Sequence, residues 1–318
     1  MSVWLLTDDA MDAHESPGHP ERPGRRGAVA SGVREAAGES LVEPAAQDVD
    51  DASLAATHDP AYVAALAEAE ERGGGWLDPD TYVVPGSLRA ARLAAGATVQ
   101  AAVAAVSGEA EVAFAVVRPP GHHASRARGS GFCLLNNIAV AVAGLRRRGL
   151  AQRVAIIDWD VHHGDGTQAI FEADPDVCYA STHQSPLYPG TGAREDRGAG
   201  AAAGTKHNRP LLPGAGDAEF VGMWRDDLLP AVEAFGPEAI LVSAGFDAHA
   251  ADPLAGLGVT DAGFGEVGSL LGELSVRLGL SGVALTLEGG YDFDAIRASA
   301  AATVRGIVAG RRGAAGEG

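Results

Sequence analysis

The chain has 318 residues, is 46% apolar and carries a formal net charge of −18 at pH 7. This acidic balance argues against a nucleic-acid-binding protein, which would present a basic face, and no apolar run approaches the roughly 20 residues that a membrane helix requires. Two cysteines, Cys133 and Cys178, do not make a disulfide scaffold, and the N-terminus lacks the basic start of a signal peptide, so we expect a soluble protein of the reducing cytoplasm.

Short apolar segments predict strands at residues 2–6, 112–117, 153–158, 177–181, 239–244 and 283–287. Apolar residues at helical spacing predict helices at about residues 26–37, 60–72, 87–106, 134–148, 166–172, 218–235, 260–278 and 292–308. From residue 112 onward strands and helices alternate, which favours an α/β fold with a parallel sheet and helices on both faces.

Two stretches depart from this alternation. Residues 185–216 are rich in glycine and proline and are expected to form loops over one end of the sheet. The last residues carry no clear pattern. Because we find neither a linker nor a repeat, we expect one domain over residues 1–309, followed by a disordered tail at 310–318.

The predicted strand at residues 153–158 changes character abruptly at its end. Asp158, Asp160 and His162 follow the apolar run at a spacing of two, so on an extended backbone they share one face. Ionisable groups are costly beside a buried strand unless they are paired or bound to a metal. The stretch therefore indicates a functional site rather than an ordinary polar turn.

Polar groups follow four of the predicted strands. They are His122 and His123, the stretch 158–165, Asp247 with Asp252, and Glu288 with Tyr291. The carboxyl ends of parallel strands meet at one edge of an open α/β sheet, where ligands bind. Four such clusters together predict an active site there.

Three of these side chains suit a metal. Asp160, His162 and Asp247 offer oxygen and nitrogen ligands and leave a position for water, as in an open catalytic zinc site. The absence of thiolate also admits Fe²⁺, Mn or Co. A coordinated water would have a lowered pKa and act as the nucleophile. Asp247 could instead be a helix cap or a loop carboxylate.

The remaining groups suit acid–base work. His122 or His123 could take a proton from the water and deliver it to a leaving amine, with Asp158 and Asp165 as orienting acceptors. Tyr291 follows a flexible turn and could polarise a carbonyl. The alternatives are two solvated histidines and a tyrosine packed at a strand end.

Six stretches are similar to motifs of one family: RPPGHHA at 118–124, GFCLLNNIAVA at 131–141, DWDVHHGDGTQ at 158–168, YPGTG at 188–192, SAGFDAHAADPL at 243–254 and LEGGYD at 287–292. With these motifs in order over residues 3–308, the sequence resembles the histone deacetylase family of the arginase–deacetylase superfamily. Two of these motifs, LEGGY and GFDA followed by DPL, look most like the motifs of class II enzymes and their bacterial relatives.

The resemblance implies a single three-layer α/β domain with a mainly parallel eight-stranded sheet and helices on both faces. It implies zinc at Asp160, His162 and Asp247. It also implies structural potassium at two places. The first lies near Asp158, Asp160, His162, Ser181 and Thr182. The second lies near Phe171, Asp174 and Val177.

The family's catalytic roles carry over residue by residue. The second tandem histidine is usually the general base and acid, which is His123 here. Asp158 is then the implied partner of His122, and Asp165 that of His123. Tyr291 matches the tyrosine that polarises the carbonyl, and its presence favours activity because members with histidine there are poor deacetylases.

The resemblance also implies a substrate tunnel. Its residues would be Gly131, Phe132, Tyr188, Leu254, Gly289 and Gly290. Phenylalanine is commoner than tyrosine at the position of Tyr188, and both aromatic residues could instead be packing. Arg25, after the HPERP motif, resembles an arginine that lines an internal product channel.

Substrate choice depends on Leu254. Polyamine-selective class II enzymes carry a glutamate at this position, which would pair with a cationic amine, and leucine cannot. We therefore expect an acetylated lysine, in a peptide or protein, or a similar acylated amine as the substrate. An acetylpolyamine amidohydrolase and a catalytically inactive acyl-lysine-binding protein are the alternatives, and a two-manganese ureohydrolase would leave the histidines and Tyr291 without a purpose. The oligomeric state stays open.

Overall fold

The computed structural model describes residues 2–316. Its strands are β1 (Val3–Leu6), β2 (Leu41–Val42), β3 (Gly75–Trp76), β4 (Tyr82–Val83), β5 (Val112–Ala115), β6 (Val154–Asp158), β7 (Val177–Gln184), β8 (Lys206–Leu211), β9 (Ala239–Ala244) and β10 (Val283–Leu287). Its α-helices are α1 (Gly24–Ala37), α2 (Asp51–Thr57), α3 (Pro60–Glu71), α4 (Ser87–Val106), α5 (Asn137–Arg147), α6 (Asp165–Phe171), α7 (Asp217–Met223), α8 (Leu229–Phe235), α9 (Asp261–Arg277) and α10 (Phe293–Ala315).

Eight strands form one sheet in the order β2-β1-β5-β10-β9-β6-β7-β8. Every neighbouring pair in this sheet is parallel. β6 is buried along its whole length between β9 and β7, and Asp158 at its end pairs with Ser243 on one side and Ser181 on the other. The predicted parallel eight-stranded sheet is confirmed, and it aligns the strand ends that carry the polar clusters.

Helices cover both faces of the sheet, because alternate strand residues point to opposite sides. On β6, Ala155 and Ile157 pack into one apolar core with α1, α9 and α10. Val154 and Ile156 pack into the other, with the alanine-rich α4 and with α5. The three-layer arrangement is thus confirmed.

The loop prediction for residues 185–216 is wrong in part, because it contains β8. This strand pairs with β7 at the edge of the sheet, for example Thr182 with Arg209. Its sequence, KHNRPL, lacks the apolar run of a central strand. An edge strand tolerates Pro210, which cannot donate a ladder hydrogen bond.

The predicted disordered tail is wrong for residues 310–315, which continue α10. Arg311 ties this end to the body: its Nη1 donates to Ser275 Oγ at 2.6 Å and its Nη2 to the Ser281 carbonyl at 2.8 Å. A Cβ at Gly310 would meet the Ser269 carbonyl at 2.0 Å, so this glycine permits close contact with α9. Residues 317 and 318 of the predicted tail lie outside the described residues.

None of the helices within residues 2–316 combines the length and the apolar character needed to cross a membrane. The four strands that precede the polar clusters, β5, β6, β9 and β10, are buried within one parallel sheet. The candidate site therefore lies at the carboxyl edge of β5, β6, β9 and β10.

Candidate metal centre and active site

A narrow cavity of about 120 Å³ opens where these four strands end. It brings together residues that are far apart in the chain. Its lining is Asp80, Pro120, His122, His123, Gly131, Phe132, Asp160, His162, Tyr188, Leu254, Gly289 and Tyr291. All but Asp80 and Pro120 belong to the predicted site.

Asp160 and His162 line the cavity and meet Asp247 there, with one candidate ligand atom of each lying within 4.8 Å of the others. His162 Nδ1 lies 3.1 Å from Asp160 Oδ1 and 3.2 Å from Asp247 Oδ2. Burial lowers the pKa of His162, but the two carboxylates more than offset this and raise it to about 10. The site therefore favours added positive charge.

The donor set fits a divalent cation. Asp247 Oδ1 accepts a hydrogen bond from the Val161 amide at 2.8 Å, and Asp160 Oδ2 accepts one from the Gly289 amide at 2.7 Å. Asp247 Oδ2 is buried and satisfies hydrogen-bond geometry with no group of the described chain. This oxygen lies 3.2 Å from His162 Nδ1 without a hydrogen bond, and a buried carboxylate oxygen that makes no hydrogen bond is costly unless a cation lies beside it.

Two glycines leave room for these carboxylates. A Cβ at Gly289 would lie 2.0 Å from Asp247 Oδ2 and 2.6 Å from Asp160 Oδ2. A Cβ at Gly245 would lie 2.0 Å from Asp160 Oδ2. Any side chain at either position would collide with these carboxylates.

His122 is held from behind by Asp158. Its Nδ1 lies 3.1 Å from Asp158 Oδ2, which also accepts a hydrogen bond from the Tyr179 hydroxyl at 3.0 Å. Burial lowers the pKa of His122, but Asp160 and Asp158 outweigh burial and raise it. The imidazolium form of His122 is therefore favoured.

His123 has the opposite electrostatic setting. Its Nδ1 lies 2.7 Å from Asp165 Oδ1, at the start of α6. Burial, followed by the charge of His122 with its ring centroid 4.0 Å away, lowers the pKa of His123 to about 3. The neighbouring rings thus favour different protonation states, with His122 charged and His123 neutral.

Tyr291 is buried beside the candidate metal ligands. Its backbone amide donates to Asp252 Oδ2 at 2.8 Å, and Asp252 Oδ1 accepts from the Leu254 amide at 2.9 Å. Asp252 therefore ties the tyrosine to the residue at the cavity mouth. The Arg25 guanidinium lies over the Tyr291 ring, 4.8 Å from its centroid.

A buried charge network behind Tyr291 was missed by sequence reasoning. Arg118 donates to both oxygens of Glu21, at 2.6 Å each, and Arg25 Nη1 donates to Glu21 Oε1 at 3.0 Å. Arg25 also donates to the carbonyls of Gly290, at 2.5 Å, and Glu288. The HPERP motif was the available signal, but from the sequence it was related only to Arg25.

Glu288 was also given no role from the sequence. Its Oε2 accepts from the amides of Gly121 and His122, at 2.6 and 3.1 Å, and its Oε1 accepts from Ser243 Oγ at 3.0 Å. Burial raises its pKa to about 7. Glu288 thereby holds the backbone that carries the tandem histidines.

All of the predicted tunnel residues except Gly290 line the cavity. Phe132 has a φ of 69° and is held there by a hydrogen bond from its amide to Thr81 Oγ1 at 3.0 Å. The Tyr188 ring packs edge-on against His123, with centroids 5.1 Å apart. Leu254, 38% exposed, stands at the mouth.

The two predicted potassium sites differ in whether their surroundings suit a cation. Asp158 ends β6 and pairs with Ser181 in the middle of β7, and Asp158, Asp160, Ser181 and Thr182 are all buried. The second set, Phe171, Asp174 and Val177, does not fit potassium. The ammonium of Lys206 already lies 2.7 Å from the Val177 carbonyl and 3.3 Å from that of Asp174, and it would repel a second cation.

An eight-stranded parallel sheet with a buried carboxylate–histidine cluster at its carboxyl edge defines an α/β protein with a candidate metal centre. Residues 19–307 match the family model described as the histone deacetylase domain. The chain belongs to the histone deacetylase family.

Named relatives agree with this membership. A probable deacetylase of Methanothermobacter thermautotrophicus is 41% identical over 95% of this chain and 90% of its own length. Histone deacetylase 15 of Arabidopsis thaliana is 39% identical over 90% of this chain and 52% of its own length. The crystal structure of the HDA15 HD domain superposes with a TM-score of 0.91 at 36% identity, covering 97% of this chain and 90% of that one. The predicted arginase–deacetylase fold is therefore confirmed.

Proposed function

We propose that the protein is a metal-dependent deacetylase that hydrolyses the acetyl group from the side-chain amine of lysine or from a similar acylated amine. One observation carries the proposal: Asp247 Oδ2, which is buried and makes no hydrogen bond, lies in a candidate ligand triad with Asp160 and His162, and those two residues line a cavity together with His123 and Tyr291. The catalytic domain would continue to the end of α10 at Ala315, and the buried, free Cys133 and Cys178 suit a reducing cytoplasm.

The metal would be zinc, with Fe²⁺ as the alternative in the cell, held by Asp160, His162 and Asp247. Such an ion supplies Lewis acidity and makes water nucleophilic near neutral pH. The chain would supply two carboxylates and an imidazole as ligands. Gly289 and Gly245, which have no side chains, leave space for the carboxylates.

His123 takes the proton of the attacking water at Nε2. Asp165 holds Nδ1 at 2.7 Å, which fixes the tautomer that leaves Nε2 free to accept. The same nitrogen then delivers the proton to the leaving amine, because an amine leaves far more readily as a neutral molecule than as an anion. His122, positively charged beside Asp158, keeps His123 neutral at rest.

Tyr291 donates its hydroxyl proton in a hydrogen bond to the carbonyl oxygen of the substrate. Burial raises the pKa of this hydroxyl, so it stays protonated and remains a donor. The bond strengthens as negative charge develops on that oxygen. Arg25, behind the ring, is our candidate for the wall of an internal acetate path.

The substrate enters as an extended acylated chain between Phe132 and Tyr188. Both residues line the cavity, which would suit an unbranched methylene stem. Leu254 at the mouth offers no negative charge, which disfavours a second cationic amine and therefore a polyamine. We also propose that one potassium ion binds near Asp158, Asp160, His162, Ser181 and Thr182.

The test is kcat/KM of the zinc-loaded protein on an acetyl-lysine peptide and on acetylated spermidine and putrescine. We expect the peptide to be preferred. Leu254→Glu should shift preference towards the polyamines, whereas Leu212→Glu, at an exposed leucine outside the cavity lining, should not. Preference for polyamines in the parent chain would make the protein an acetylpolyamine amidohydrolase. Binding of acetyl-lysine without hydrolysis would make it an inactive acyl-lysine-binding protein.

A further inference from the structure

Lys206 is the only lysine of the chain, and it is completely buried at the start of β8. Its ammonium donates to the Val177 carbonyl at 2.7 Å, to Thr205 Oγ1 at 2.7 Å and to the Asp174 carbonyl at 3.3 Å. An ammonium has three N–H donors, so all of its hydrogen-bonding capacity is used by neutral oxygens.

The charge of Lys206 has no carboxylate partner. Among residues 2–316, no carboxylate oxygen lies within 4.0 Å of its Nζ, and the neighbouring Asp174 carboxylate binds Arg146, with Nη1 to Oδ2 at 2.5 Å. Burial lowers the pKa of Lys206 only to about 8, so the charged form still predominates at pH 7. A buried cation surrounded by carbonyl and hydroxyl dipoles is the environment that proteins offer to a bound monovalent metal ion.

The oxygens around Lys206 belong to segments that the ammonium joins. Asp174 lies in the turn after α6, and its amide donates to the Phe171 carbonyl, at the end of that helix, at 3.0 Å. Val177 begins β7, and Thr205 precedes β8. The other end of α6 begins with Asp165, which orients His123. The contact therefore fixes both the edge of the sheet and the far end of a short helix beside the active site.

We propose that the ammonium of Lys206 is a covalently tethered replacement for a monovalent metal ion at the junction of α6, β7 and β8. The fold needs no dissociable cation there, and the chain supplies the charge itself. One consequence is that this junction keeps its cation at any potassium concentration. The proposal concerns the stability of the fold and does not rest on the proposed function.

The first test uses the parent protein with thallium in place of potassium. Thallium(I) mimics potassium and gives a strong anomalous signal in crystals. We expect no thallium in direct contact with the Asp174 and Val177 carbonyl oxygens. A thallium ion bound to those carbonyls beside Lys206 would overturn the proposal, and this result needs no variant.

The second test removes the charge with Lys206→Met, which keeps an unbranched stem. Unfolding is followed at constant ionic strength while potassium chloride replaces choline chloride. A ligand that binds only the folded state stabilises that state by mass action. The free energy of unfolding of the variant should therefore rise with potassium concentration, and the slope should correspond to about one more bound ion than in the parent. Folding only in potassium would be the extreme form of the same result.

The matched control is Arg209→Met on the same strand, where the lost cation is paired with the Asp227 carboxylate. This variant should lose stability equally in potassium and in choline. If Lys206→Met shows no more potassium dependence than Arg209→Met, or fails to fold in both salts, the ammonium does not stand in for a metal ion and the proposal is wrong.

Discussion

Glu21 is the buried carboxylate on which Arg25 and Arg118 converge, and Glu21→Gln removes its charge with little change of shape. Burial alone raises the pKa of Glu21, but Arg118 and Arg25 outweigh it and lower the pKa from 4.5 to about 2. At about 1.4 kcal/mol per unit, this difference corresponds to about 3 kcal/mol of folding free energy at pH 7. We expect Glu21→Gln to lose that amount in urea unfolding.

The pH dependence of this loss follows from the same shift. The folded pKa of Glu21 lies below the unfolded one, so its stabilisation is complete above the unfolded value and is lost as pH falls towards about 2. The difference in unfolding free energy between parent and variant should therefore be about 1 kcal/mol smaller at pH 4 than at pH 7. Urea midpoints and slopes at both pH values give the two free energies.

The control is Glu43→Gln, which breaks the exposed pair between Glu43 and Arg34. An exposed ion pair contributes about 0–1 kcal/mol, so this variant should stay close to the parent at both pH values. Two results would contradict this reasoning: a loss of unfolding free energy in Glu21→Gln no larger than in Glu43→Gln, or an equal loss at pH 7 and pH 4. Either result would mean that Arg25 and Arg118 do not stabilise an ionised Glu21.

Three further changes test the site. Tyr291→Phe should lower kcat on an acetyl-lysine peptide about 10²–10³-fold with little change in KM or thermal midpoint, because the hydroxyl acts on the developing charge. Asp165→Asn should lower kcat about 10–100-fold at unchanged zinc content, because it loosens His123. Gly289→Ala should weaken zinc binding at least about tenfold in a chelator competition, because its Cβ would lie 2.0 Å from Asp247 Oδ2. The control Gly313→Ala places its Cβ in open space and should leave zinc binding unchanged.

Each of these has a contrary outcome. Unchanged kcat in Tyr291→Phe would remove the hydroxyl from the mechanism. Loss of zinc from Asp165→Asn would assign that residue to metal retention instead of proton transfer. Equal zinc affinity in the two glycine variants would mean that the carboxylates can move aside, so that the close approach at Gly289 is not needed.

The central strands and the site cluster were predictable because both depend on local sequence. β9 and β10 have the predicted bounds, since a strand buried on both faces is a continuous apolar run between polar turns. Asp160, His162, Asp247 and Tyr291 follow such strands, and parallel pairing necessarily brings the strand ends to one edge.

The features that were missed depend on contacts between distant residues. Glu21 and Arg118 are 97 positions apart, and neither residue type by itself indicates a buried ion pair. β8 is an edge strand whose polar sequence resembles a loop. Lys206 binds backbone carbonyls, which every residue possesses, so no sequence pattern marks its partners.

Metal dependence of hydrolysis is the central claim, and a zinc titration tests it most directly. The protein is stripped of metal with a chelator, and kcat on an acetyl-lysine peptide is followed as zinc is added back, with Asp247→Asn alongside. The account predicts that activity rises in proportion to zinc and saturates at one ion per chain, while the variant needs at least about tenfold more zinc. Full activity in the stripped protein would contradict the account.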